Sequence, residues 1–117
     1  MKTVLIVDDD PSIRLLLRDE LCDLKLNVIT AVDGEEALIS FEENDIDLVI
    51  LDLKMPKVEG DEVLKVIGEK SNVPVILYSA NIDSYEGLDK LHGNVYFVEK
   101  SSNLDDLISR VKNVLNV

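Results

Sequence analysis

A single cysteine, Cys22, stands among 117 residues, so no internal disulfide can form and no thiolate zinc cluster can be built. Basic residues are also scarce. Twelve Lys and Arg stand against 24 Asp and Glu, a formal net charge of −12. A surface that acidic repels phosphate backbones, and direct nucleic-acid binding is not expected. No apolar run approaches the roughly 20 residues that a bilayer span needs, so no membrane span is expected. The N-terminal Met1-Lys2-Thr3-Val4 runs into a short apolar stretch ending in three aspartates, unlike a signal peptide, and a cytoplasmic location is expected. The one histidine, His92, precedes Gly93 without a clustered partner and reads as a loop residue. Neither G-x-G-x-x-G nor a P-loop occurs, which counts against a nucleotide or flavin binder. No linker, repeat or low-complexity tract divides the chain, and one domain over 1–117 is expected.

Apolar residues make up 46% of the chain, enough to fill a core. They fall first into five short runs, Thr3–Val7, Leu26–Ile29, Asp47–Leu51, Pro74–Tyr78 and Val95–Val98. At least three are apolar throughout rather than alternating, the signature of strands buried on both faces. Between and after them, apolar residues recur at helical steps. Ile13, Leu16, Leu17, Leu21 and Leu24 form one stripe. Ala37, Leu38 and Phe41 form a second, and Val63, Leu64 and Ile67 a third. Leu104, Leu107, Ile108, Val111 and Leu115 form the last. The segment 82–91 carries a sparser pattern with Gly87 inside it and predicts the weakest helix. Asp10-Pro11 reads as an N-cap followed by a first-turn proline, and Asp33 with Glu36 and Ser102 with Asp105 are spaced as capping pairs. Gly60 and Gly93 predict turns, and Cys22 falls off its helix's stripe. Five strand–helix repeats point to an α/β domain, a doubly wound parallel sheet with helices on both faces. Composition leaves the strand order open. One common order, 2-1-3-4-5, puts a ligand crevice beside the carboxyl ends of the first and third strands.

Chemistry-bearing residues gather at the carboxyl ends of these strands. Asp8-Asp9-Asp10 follows the first, Asp52 the third, Ser79 the fourth and Lys100 the fifth. Crowded carboxylates do not all stay ionised cheaply: a pKa rises or a cation binds. Oxygen donors with room for water suit Mg²⁺, with Mn²⁺ as a substitute. One carboxylate can then act as nucleophile toward a phosphoryl group. Lys100 and Ser79 are the right types to meet its equatorial oxygens.

These residues resemble the receiver domain of two-component response regulators, over essentially the whole chain. The likeness is carried by Val4-Leu5-Ile6-Val7-Asp8-Asp9-Asp10-Pro11 with Arg14, and by Asp47-Leu48-Val49-Ile50-Leu51-Asp52-Leu53-Lys54-Met55-Pro56 with Gly60. Pro74-Val75-Ile76-Leu77-Tyr78-Ser79-Ala80 and Lys100 complete it. The resemblance implies the flavodoxin-like strand order 2-1-3-4-5 and a phosphoprotein acting in signal transduction. Asp52 would accept a phosphoryl group from a histidine kinase or a phosphotransfer protein. Asp8, Asp9 and Asp52, with the backbone carbonyl of Lys54, would hold Mg²⁺. Lys100 would pair with the phosphoryl group, Ser79 would supply the hydroxyl that moves toward it, and the small Ala80 would leave it room. Phe97 matches the aromatic that changes rotamer with that hydroxyl. The output partner would meet the helix 4–strand 5–helix 5 face, through Val95, Phe97 and the exposed side of Leu88–Leu91. Lys54 and Asn81 would border the path of a hydrolytic water, and neither offers a carboxylate to orient it, so slow dephosphorylation is expected. Two departures bear on the output face. Lys100 is followed by Ser101 instead of the family's usual proline, so a trans bond is expected, since cis there costs ~2.5–4 kcal/mol. The segment before the fifth strand lacks the usual Ala-rich helix and Gly-Ala turn.

Two other readings remain at this point. An aspartyl phosphohydrolase commonly carries D-x-D at its nucleophile, but Asp52-Leu53-Lys54 has lysine there and no cap domain is present. A degenerate receiver used only for docking would not keep the full acceptor set.

Overall fold

The computed structural model describes residues 1–52, 60–79, 94–100 and 104–117. In chain order the elements are β1 (Thr3–Val7), α1 (Pro11–Cys22), β2 (Asn27–Ala31), α2 (Gly34–Glu43), β3 (Leu48–Leu51), α3 (Gly60–Lys70), β4 (Val75–Ser79), β5 (Val95–Glu99) and α4 (Leu104–Leu115). The helix predicted at 82–91 lies outside the described residues. So do Lys54, Ala80, Asn81, His92, Gly93, the Ser102 cap and the Lys100–Ser101 bond.

The five strands form one sheet in the order β2-β1-β3-β4-β5, with every pairing parallel. The order predicted through the resemblance is the order found. β1 and β3 are buried along their whole length, as their unbroken apolar runs require. The edge strands β2 and β5 are only half-covered. On one face Ala37 of α2 and Val63, Leu64 and Ile67 of α3 pack on Leu5, Val49 and Leu77. On the other, Leu17 and Leu21 of α1 and Leu107, Val111 and Leu115 of α4 pack on Ile6, Ile50 and Ile76. No described helix is long and apolar enough to cross a membrane.

Local signals set the helix ends. The Asp10 carboxylate accepts from Ser12 N at 2.9 Å with Pro11 opening α1, and Asp33 accepts from Glu36 N at 2.9 Å ahead of α2. Glu35 and Glu36 in the first turn of α2 complement the helix dipole. The chain leaves α1 through Lys25 at φ 62°, where Lys25 N bonds Cys22 O at 3.0 Å and Leu26 N bonds Leu21 O at 3.4 Å. This is a Schellman turn, with lysine in the left-handed position that glycine normally takes. It sends Leu26 back onto Leu21 in the core.

The structure revises three local expectations. Leu26 belongs to that turn and β2 starts at Asn27. Leu16 is 46% exposed instead of facing the core, because Leu17 and Leu21 centre the α1 stripe and a one-residue step turns a side chain about 100° away. Gly60, expected in a turn, is the first residue of α3. Cys22 is exposed, as its place off the stripe predicts.

Candidate functional site

β1 and β3 are paired so that Val7 stands opposite Leu51, which makes Asp8 and Asp52 neighbours at the point where the strand order reverses. The backbone fixes both. Asp8 N donates to Ala31 O at 3.2 Å and Asp52 N to Val7 O at 3.0 Å. Both side chains are deeply buried, Asp8 at 2% and Asp52 at 3% exposure, whereas Asp9 is exposed at the mouth.

Lys100 enters from the far side of the sheet. β5 is two strands from β3, a lateral distance of roughly 10 Å. Only a long side chain spans it. The Lys100 ammonium donates to Asp52 Oδ2 at 2.9 Å and to Asp8 Oδ2 at 3.0 Å, and it lies over the Tyr78 ring, 5.7 Å from the centroid. Asp8 Oδ1 accepts from Asp10 N at 2.9 Å, so each oxygen of this carboxylate has a donor. Arg14, one turn into α1, donates from its guanidinium to the Asp8 backbone carbonyl at 2.6 Å and ties the acidic loop to the helix.

The electrostatics follow from burial. Desolvation pushes the Asp8 carboxyl above its ordinary pKa, and the neighbouring Asp52 charge adds to this. The hydrogen bonds from Asp10 N and Lys100 act the other way without cancelling it. Burial opposes the charged form of Lys100 as well, but its hydrogen bonds to Asp52 and Asp8 and their negative charges prevail, and its pKa stands above the usual lysine value. Burial also raises the Tyr78 phenol. The raised Asp8 carboxyl is the pKa response expected of crowded carboxylates, and the Lys100 ammonium between the two acids offsets part of their repulsion.

Among the described residues, Asp8, Asp9 and Asp52 each offer one carboxylate oxygen, and the three lie within 4.8 Å of one another. Three carboxylate oxygens gathered this closely are the kind of hard-oxygen set that would hold Mg²⁺ alongside waters. The donor chemistry, all oxygen and all carboxylate, fits as well.

Two other predicted site residues stand on β4 and β5. Ser79 closes β4, in register with Glu99. Phe97 pairs with Leu77 and is half-buried against the core under α2 and α3. Sequence reasoning gave no role to Tyr78, which it took as one more apolar residue of its strand. The available signal was an aromatic directly before the strand-end hydroxyl. Nor did it give Arg14 its contact with the Asp8 carbonyl, although the spacing of one helical turn after Asp10 pointed that way.

The chain matches the family model described as response regulator receiver domain over residues 4–112. It is 36% identical over 113 residues to a probable transcriptional regulator, ycf27, of Porphyridium aerugineum, covering 96% of this chain and 47% of that protein. The chain spans about half the length of the curated relatives it matches. Among solved structures it resembles the response regulator TrrA of Thermotoga maritima in complex with Mg²⁺–BeF. The TM-score is 0.87 at 39% identity, covering 97% of this chain and 99% of that one. The same protein in complex with the histidine kinase ThkA aligns with TM-score 0.86 at 38% identity, covering 98% and 99%.

Proposed function

The chain belongs to the response-regulator receiver domain family, and on that premise we propose that it takes a phosphoryl group from a histidine-kinase phosphohistidine, or from a phosphotransfer protein, onto Asp52. The observation that carries this reading is the pair of buried carboxylates, Asp8 and Asp52, bridged by one ammonium where the strand order reverses. Such a site is built to receive anionic oxygens: its cation is already in place and its carboxylate nucleophile is held by the backbone. The family relationship makes it a signalling domain. We take its chemistry to be confined to its own phosphorylation and slow dephosphorylation.

An Asp52 oxygen attacks phosphorus. The new O–P bond forms as the P–N bond to the donor histidine breaks, the electron pair of that bond leaves with the imidazole, and a proton from water completes the neutral ring. Lys100 gives up its hydrogen bond to Asp52 and pairs with a phosphoryl oxygen. Asp8 stays anchored through Asp10 N. Asp8, Asp9 and Asp52 would hold Mg²⁺, with the Lys54 carbonyl as a further ligand and Mn²⁺ as a substitute. When bound, the ion supplies positive charge to the phosphoryl oxygens. Ser79 and Phe97 form the switch that carries the change to a face that includes β5 and α4, where an output partner binds. Phosphorylation adds roughly two negative charges, enough to draw a hydroxyl across the site. We place the domain at 1–117 in the cytoplasm, without direct nucleic-acid or membrane contact.

The test is incubation with acetyl phosphate and Mg²⁺, read by intact mass. Wild type should gain one phosphoryl group and Asp52→Asn none. Labelling of Asp52→Asn to the same extent, or sustained turnover of many phosphate esters, would overturn the reading.

A further inference from the structure

We infer that Tyr78 is a positioning residue for the phosphorylation of Asp52, its ring face forming with Asp8 and Asp52 the third wall that holds the Lys100 ammonium at the acceptor. The inference rests on the acceptor reading above.

β4 lies between β3, which leads into Asp52, and β5, which leads into Lys100. The lysine must therefore cross the end of β4 to reach the acids, and Tyr78 is the second-last residue of that strand. Tyr78 is in register with Val98, and both belong to the core under α1 and α4. Lys100 comes one residue after the end of β5, and its stem turns back over the end of β4. Its ammonium then meets the ring at 5.7 Å from the centroid, within the ~6 Å range of an attractive cation–ring contact. The ring is 7% exposed and the lysine side chain 22%, so the contact is largely shielded from water, where such attraction is strongest.

The ring does something the carboxylates cannot. Lysine is a point charge on a flexible four-carbon stem, and two hydrogen bonds to acids fix only its tip. Those two partners change during the reaction, because one Asp52 oxygen becomes part of an acyl phosphate and a metal would draw on Asp8. The attraction between ammonium and ring depends on neither event, so Tyr78 keeps the ammonium over the site while its anionic partners are exchanged. The phenol stays neutral at physiological pH, its pKa raised by burial, and adds no competing charge. An aliphatic side chain of similar bulk would fill the core but offer no negative face to the ammonium.

The experiment compares wild type, Tyr78→Phe and Tyr78→Leu for the initial rate of phosphorylation by acetyl phosphate with Mg²⁺. It also records the ε-methylene and ammonium NMR signals of Lys100 in the unphosphorylated protein. Tyr78→Phe, which keeps the ring, should label within about twofold of wild type. Tyr78→Leu should be slower by about fivefold, or ~1 kcal/mol at 1.36 kcal/mol per tenfold. The Lys100 ε-protons should be shifted upfield by the ring in wild type and Tyr78→Phe and lose that shift in Tyr78→Leu, a change that core filling alone would not produce. The inference is overturned if Tyr78→Leu labels at the wild-type rate, or if Tyr78→Phe is as slow as Tyr78→Leu. It is also overturned if wild-type Lys100 shows no ring-induced shift, a measurement that needs no variant to fold. Failure of wild type to accept any phosphoryl group would defeat the acceptor reading, while the Lys100 signals would still report on the ring.

Discussion

Replacing Lys100 by methionine removes the ammonium between two carboxylates that are 2% and 3% exposed and keeps most of the stem's bulk. Breaking a buried ion pair by deleting one partner costs about 3–5 kcal/mol, because the remaining charge is stranded away from water. Lys100 is itself about one-fifth exposed, and Asp8 can relieve the strain by taking a proton, so the lower end applies, about 3 kcal/mol at pH 7. For a domain of this size that is a fall in Tm of roughly 12 °C. The loss depends on pH in a definite sense. The folded-state pKa of Asp8 is already raised, so its contribution to stability is fully present below the ordinary carboxylate value and is lost as pH rises through the raised one. Without the ammonium that pKa moves further up. The gap between wild type and Lys100→Met should therefore be widest near neutrality and close as the solution is acidified. In wild type the raised Lys100 pKa gives stability that is present through neutral pH and lost only as pH climbs past the usual lysine range near 10.4. Mg²⁺ should restore much of the variant's stability, since the lysine no longer competes for Asp8 Oδ2 and Asp52 Oδ2. Urea and thermal unfolding across pH 4–9, with and without Mg²⁺, measure all of this. Equal stability of the two proteins at pH 7, or a gap that widens toward acid pH, would refute the reasoning.

Three further outcomes are expected. Asp9→Ala should abolish metal-dependent labelling and leave the free energy of unfolding within about 0.5 kcal/mol of wild type, because this aspartate is exposed and outside the ammonium bridge; labelling that persists in excess chelator would sink the metal assignment. Lys25→Gly should stabilise the fold by about 1 kcal/mol in denaturant titrations, since lysine now occupies a left-handed position that glycine takes without a steric penalty. Decay of the phosphorylated protein after donor removal should quicken in Lys54→Asn or Asn81→Glu; if neither substitution changes it, shielding by these two residues is not what slows hydrolysis.

Much of this protein was legible because its signals are local. Unbroken apolar runs mark strands buried on both faces, and β1, β3 and β4 carry them. The capping aspartates Asp10 and Asp33 sit where a side chain can reach an amide two or three residues on. Asp8, Asp9 and Asp52 could be read as one site because parallel strands deliver their carboxyl ends to one rim, and family resemblance supplied the order that makes two of those ends adjacent. Where the reading slipped, on Leu16 the deciding fact was the exact phase of α1 against the sheet, which a five-residue stripe does not resolve, and on Leu26 it was the turn that closes α1 through Lys25.

What the sequence determined by itself was therefore the set of elements, their alternation and the kinds of group at their ends, all consequences of interactions within a few residues. The bridge of Lys100 to Asp8 and Asp52 joins residues 92 and 48 positions apart. Its partners depend on the lateral spacing of strands, on which acids lose their water and on what lies beneath the lysine stem. Only the folded sheet decided that Tyr78 would be that floor, that Arg14 would brace the Asp8 carbonyl, and that burial would raise the Asp8 carboxyl. Desolvation and long-range charge are properties of the assembled interior, and they do not exist until the strands have come together.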